Sequence, residues 1–223
     1  MTQRAQRLIA ESRNAIVSTE EQILLHPYPE SLEKKGLGKG KLTMFAVQQH
    51  YCMKLNVKSM ELALERVSSR YANGFMLDMV NNARAALDAL ELFSKSLGLS
   101  AEILNAGEPL SGAIAYSLYV NWLASNRSAS ELAAAFLVNM PLWGANCARV
   151  SRALQANYDF KKEEVAFFDM FATACPELEI KGLEVIEEEL EHGADPVLIR
   201  RSVRLLQRYE LMFWDTMWER SRC

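Results

Sequence analysis

The sequence predicts an all-α protein, a bundle of seven or eight helices forming one domain over residues 1–223. Three observations carry this. Apolar residues recur at intervals of three and four along nearly the whole chain, the spacing that lines one face of a helix. No alternating strand and no hairpin turn occurs. The periodic stretches are joined by short connections marked by Pro, Gly or Ser, as in a bundle of neighbouring helices. With 223 residues, half of them hydrophobic and 24% charged, the chain can bury a substantial core and has the composition of an ordinary globular protein.

The first helix is expected from about Gln3 to Leu25, ending where His26-Pro27-Tyr28-Pro29 forbids its continuation. A short turn or helix from Glu30 to Lys35 leads into the glycine-rich Gly36-Leu37-Gly38-Lys39-Gly40. A second long helix, about Lys41 to Ser68, carries Leu42, Ala46, Gln49, Met53, Val57, Met60 and Leu64 on one stripe. A third, about Asn73 to Leu97, turns Met76, Val80, Ala83, Leu87 and Leu90 inward and stops at Gly98, a suitable left-handed C-cap. After a short segment, Ala101 to Asn105, a fourth helix from Leu110 to Ser125 displays Tyr116, Tyr119 and Trp122. Ser128 and Glu131 have the spacing of a capping box for the fifth helix, which runs to about Ala156. Pro141 in its middle cannot donate to the carbonyl of Leu137, so a kink is expected there. Segments Glu163 to Thr173 and Pro176 to Glu191 precede the last helix, about Asp195 to Ser221.

Composition excludes several functions. A net charge of -3 gives no electrostatic reason to bind nucleic acid, and Arg200, Arg201, Arg204 and Arg208 read as the solvated face of the last helix. No stretch reaches the ~18 uninterrupted apolar residues of a membrane span. The N-terminus runs into a mixed-polarity helix instead of an apolar signal core. Cys52, Cys147, Cys175 and Cys223 lie far apart and form no CxxC, which fits reduced thiols in a cytoplasmic protein, with Cys223 the one exposed enough for an adventitious disulfide. The histidines His26, His50 and His192 never pair at helical spacing. The single Glu-x-x-His match, Glu189 to His192, lies in an acidic run, so no metal is expected. No phosphate loop, dinucleotide fingerprint or serine elbow appears.

The chemistry therefore rests on polar groups that the periodicity turns inward. In the last helix Ile199, Val203, Leu206, Glu210, Phe213 and Met217 form one stripe with a single carboxylate. Such a carboxylate is paired with an Arg or Lys, protonated, or lining a polar cavity, because an unpaired buried charge costs several kcal/mol. Gln49 and Asn146 are further inward polar residues on two other helices, and Tyr51, Tyr116, Tyr119 and Trp143 accompany them. Polar members on three helices suggest a small shared cavity.

The order of these motifs resembles the TenA/thiaminase II family and its PqqC relatives, which share the haem-oxygenase-like fold. The resemblance runs from His26-Pro27 through Leu37 and Gln48-Gln49-His50-Tyr51 to Ala115-Tyr116. It continues through Met140-Pro141-Leu142-Trp143 and Phe167 to Thr173, and ends in Tyr209-Glu210-Leu211-Met212-Phe213-Trp214, its most specific element. It implies that Glu210 occupies the place of the family's acid/base glutamate and Tyr116 that of a pocket tyrosine. It also implies departures: Gln49 stands for the aspartate that recognises the pyrimidine, Leu142 for the nucleophilic cysteine, and Phe171 and Asn146 for pocket tyrosines. Leucine is no nucleophile, and glutamine takes no proton.

What the resemblance implies is an interior pocket for an aminopyrimidine or similar heteroaromatic of the thiamine-salvage type. Glu210 would be its catalytic residue, Gln49, Tyr51, Tyr116, Leu142, Trp143, Asn146 and Phe171 its ligand-binding ones, with no cofactor. If the chain is an enzyme, the expected reaction is hydrolysis without a cysteine nucleophile. Three alternatives stay open: a binding protein for a small ligand or partner, a PqqC-like oxidase, or a Glu210 satisfied structurally. The resemblance further implies a homo-oligomer, a dimer or tetramer.

Overall fold

The computed structural model describes residues 2–222, and among them every regular element is helical. Cys223, expected to be exposed, lies outside the described residues. The first stretch is two helices instead of one, α1 (Gln3–Asn14) and α2 (Val17–Leu24), separated at Ala15 and Ile16. The break turns Ile16 into the core, where it is buried beside Leu8 and Ile9. No Pro or Gly announces it. The prolines after α2 start the next helix as well as ending the last: α3 (Pro27–Glu33) has Pro at its first position, and His26 caps it by accepting the Tyr28 amide on Nδ1 at 3.2 Å.

The long helices follow the expected stripes. In α4 (Lys39–Arg66) Leu42, Ala46, Gln49, Met53 and Met60 are buried. In α5 (Arg70–Ser96), capped by Ser69, Met76, Val80 and Leu90 are buried, and Gly98 takes a φ of 77° just beyond its end. A short α6 (Ala101–Ala106) precedes α7 (Ser111–Asn126). Next comes α8 (Ala129–Asn157), whose first turn is capped by Ser128 accepting the Glu131 amide at 3.3 Å. The expected capping box is made only by half, since the Glu131 carboxylate takes the Ser202 hydroxyl at 2.7 Å instead. A 3-10 turn (Lys162–Val165) leads into α9 (Ala166–Ala172), then α10 (Pro176–Glu191) and α11 (Pro196–Arg222).

Pro141 lies within α8 without ending it. The Leu137 carbonyl that it cannot satisfy accepts Arg13 Nη2 of α1 at 3.2 Å, so a neighbouring helix repairs the lost hydrogen bond.

In the bundle α4 packs on α5 and α7, α11 on α7 and α8, and α8 on α3, α9 and α10. Buried side chains fall into two clusters. One is aromatic, around Phe45, Phe93, Phe168, Phe213 and Trp214; the other is built from Met60, Phe75, Met76, Leu132, Val203 and Leu206. Each fully buried side chain of this size contributes roughly 1.5–3 kcal/mol relative to exposure. No described helix is long and apolar enough to cross a membrane.

Candidate functional site

Glu210 sits on the buried stripe of α11, 1% exposed, and no Lys, Arg or His pairs with it among the described residues. Its partners are neutral. Trp214, one turn on, donates Nε1–H to Oε1 at 3.1 Å, and Asn139 of α8 donates Nδ2–H to Oε2 at 2.5 Å. The same Asn139 amide donates to Gln207 Oε1 at 3.1 Å, while its own Oδ1 accepts the Tyr116 hydroxyl of α7 at 2.8 Å. Three helices thus contribute to one network around one carboxyl. Burial pushes the Glu210 carboxyl up to about 8, and the two donated hydrogen bonds offset only part of that shift. Near neutral pH the group is therefore a protonated acid. Of the fates open to a carboxylate on an apolar stripe, the ion pair is absent among the described residues and burial favours the protonated form.

This carboxyl borders a cavity of about 880 Å³, placed where the two core clusters meet. Glu210, Gln49, Tyr116, Trp143 and Phe171 line it. Gln49 is buried, yet its side-chain amide makes no hydrogen bond among the described residues, so one donor group and one acceptor are open towards the cavity. Trp143 meets Phe171 edge-on at 6.1 Å, closing the wall between α8 and α9.

Three expected site residues lie elsewhere. Tyr51 is 42% exposed and absent from the lining. At ~100° per residue it points about 200° away from Gln49, so the two cannot share a face. Leu142 is buried in the aromatic cluster, off the cavity. Asn146 is buried too, but its Nδ2 donates to the Ile23 carbonyl at 2.9 Å, serving the end of α2. The Gln48 side chain, beside Gln49, is likewise structural, binding the Leu110 amide at 2.7 Å and the Glu108 carbonyl at 2.9 Å.

The periodicity missed Asn139, Gln207 and Trp214. A signal existed for the first: Asn139 is the one polar residue between Leu132 and Trp143. Two thiols lie near the site, Cys52 in the cavity lining and Cys147 within electrostatic reach of Glu210. Burial pushes the Cys52 thiol, which lines the cavity, up to about 12, and raises the Cys147 thiol as well, so both stay protonated. No cluster of three His, Cys, Asp or Glu suited to a metal occurs among the described residues. Glu189, of the Glu-x-x-His match, is occupied in accepting the Ala129 and Ser130 amides at the start of α8.

The fold has relatives. A TenA homologue from Pseudomonas syringae pv. tomato DC3000 superimposes with a TM-score of 0.81 at 13% identity, over 94% of this chain and 92% of that one. For a TenA homologue from P. horikoshii OT3 the TM-score is 0.75 at 16% identity, over 95% and 98%. A domain from Shewanella denitrificans OS217, described as having a heme oxygenase-like fold, gives 0.75 at 14% identity, over 96% and 93%. At such identities the likeness shows a shared fold. No curated protein matches the chain by sequence. The model of the TENA/THI-4/PQQC family matches residues 13–220, which spans α2 to α11 with every residue that lines the cavity, and the chain is a member of that family.

Proposed function

We propose that the chain binds a small nitrogen heteroaromatic in the interior cavity, an aminopyrimidine being the class suggested by the family, with Glu210 exchanging a proton with the ring. The observation that carries this is an acid held protonated by burial, with no countercharge, on the wall of a cavity large enough for a ligand. A protonated carboxyl donates to a ring nitrogen and, by transferring its proton, makes the ring more electrophilic. Gln49 complements it. Its amide pairs with an edge that offers one N–H and one acceptor side by side, as an aminopyrimidine does.

Where turnover follows, it is hydrolysis: water brings the incoming hydroxyl, an amine substituent leaves as ammonia, and Glu210 exchanges the proton. Neither cysteine beside the site takes part, because both thiols are held protonated. Binding without turnover is the second reading, favoured by that same lack of an ionised nucleophile.

The test is thermal unfolding of the protein and of Glu210→Gln with thiamine, aminopyrimidines, flavins and quinones. We expect an aminopyrimidine to raise the melting temperature of the parent and not of the variant. Ammonia released on incubation separates turnover from binding. An equal rise in both proteins would remove Glu210 from the site, and a rise with quinones alone would replace the proposal by a PqqC-like one.

A further inference from the structure

The cavity is larger and more apolar than a single ring requires. An aminopyrimidine of about eight non-hydrogen atoms displaces roughly five waters at ~30 Å³ each. That is under a fifth of the 880 Å³ available. Tyr116 and Glu210 are joined through Asn139, and besides Gln49 the lining holds one further half-buried amide, Asn56, whose Oδ1 is buried without a partner among the described residues. Around these few polar groups most of the wall is apolar, with Met53, Met60, Phe75, Met79 and Phe136 buried and Met140 and Met170 nearer the surface. Methionine is unbranched and polarisable, and a wall of it adapts to flexible apolar groups.

Charge is distributed in the same sense. Besides Glu210, the charged side chains lining the cavity are Arg13 and Glu179, half-buried and exposed respectively, both towards the mouth. Away from the Glu210 carboxyl, no charged side chain inside would compensate a permanent charge on the rest of a ligand, and burying an unpaired one costs several kcal/mol.

From this distribution we infer that the ligand is an elongated, uncharged heteroaromatic, its ring against Glu210 and Gln49 and an apolar substituent running along the methionine-lined wall. The inference rests on the ring site proposed above and adds the substituent. A charged group on the ligand is confined to the mouth, beside Arg13 and Glu179.

The test is calorimetric titration with 4-aminopyrimidine and its 5-ethyl, 5-butyl and 5-hexyl derivatives. Each buried methylene should tighten binding about fourfold. A second pair has one shape and two charges: the 5-neopentyl compound and its 5-(trimethylammoniomethyl) isostere. The neutral member should bind at least about tenfold more tightly. Ala83→Phe, which adds a ring to the lining from a half-buried position on α5, should flatten the chain-length gain and leave 4-aminopyrimidine within about twofold of its affinity. Equal affinity along the series, or preference for the cation, overturns the inference while sparing the ring site. Failure of every compound to bind overturns both. The isostere pair needs only the unmodified protein, so the outcome does not depend on the folding of the variant.

Discussion

At the scale of single residues, Glu210 sets the pH behaviour of the molecule. Its folded carboxyl titrates at about 8 against an unfolded value of 4.5, so between those limits the folded state holds a proton that the unfolded state has lost. Stability from this group is therefore full below about pH 4.5, falls as pH rises, and is lost above about 8. The span is on the order of 4–5 kcal/mol. We expect Glu210→Gln to flatten that slope and to be the more stable protein at pH 9, read from urea midpoints across pH. A variant that follows the parent slope would show that the carboxyl ionises inside the fold without cost. Asn139 tunes the same group. Its N–H favours the ionised carboxylate, so Asn139→Leu should move the Glu210 midpoint upward, followed by carboxyl carbon NMR with Glu210→Gln as the assignment control. An unmoved midpoint would deny Asn139 any electrostatic part. Ligand binding through the protonated acid should weaken about tenfold per pH unit above the midpoint.

At the scale of elements, α8 is the helix that shapes the cavity, and its special residues are spaced along one wall. Pro141 frees the Leu137 carbonyl, Arg13 takes it up, and all three residues line the cavity. Gly144 lets α9 approach: a Cβ there would meet the Phe171 carbonyl oxygen at 2.4 Å, a contact with backbone that cannot move aside cheaply. Gly144→Ala should therefore cost about 1–3 kcal/mol and displace the Trp143 and Phe171 wall, weakening any ligand. Gly74 of α5 is the contrast, with nothing within 4 Å of the added carbon. Gly74→Ala should stabilise by about 0.5–1 kcal/mol through helix propensity. Denaturant midpoints for the two variants that moved in the same direction would contradict this account of α8 and α9.

At the scale of the whole molecule, the cavity interrupts the core between its two clusters, and a ligand there completes the packing of both. At about 100 times its dissociation constant it should stabilise the fold by ~2.7 kcal/mol. For a chain of this length that corresponds to roughly 2–4 °C in melting temperature per kcal/mol. The wall opposite α8 belongs to α4 and α5, so slower amide exchange should reach those helices as well as α8 and α11.

The sequence by itself determined the helical class, most of the element boundaries and the inward stripe of α11 with its lone carboxylate. These follow from local rules: period, caps and prolines act within a few residues. It also brought Gln49, Tyr116, Trp143 and Glu210 forward as site candidates, the family resemblance added Phe171, and the fold sets all five around one cavity. Only the tertiary structure decided the break between α1 and α2, where the burial of Ile16 governs and no breaker residue marks the turn. It alone decided the fate of the polar residues. Asn139 joins Glu210, whereas Asn146 turns to the end of α2, although both are buried asparagines of α8. Periodicity reports which face of a helix is covered, but the partner on that face comes from another helix dozens of residues away. For a buried polar group, that partner fixes both its protonation and its use.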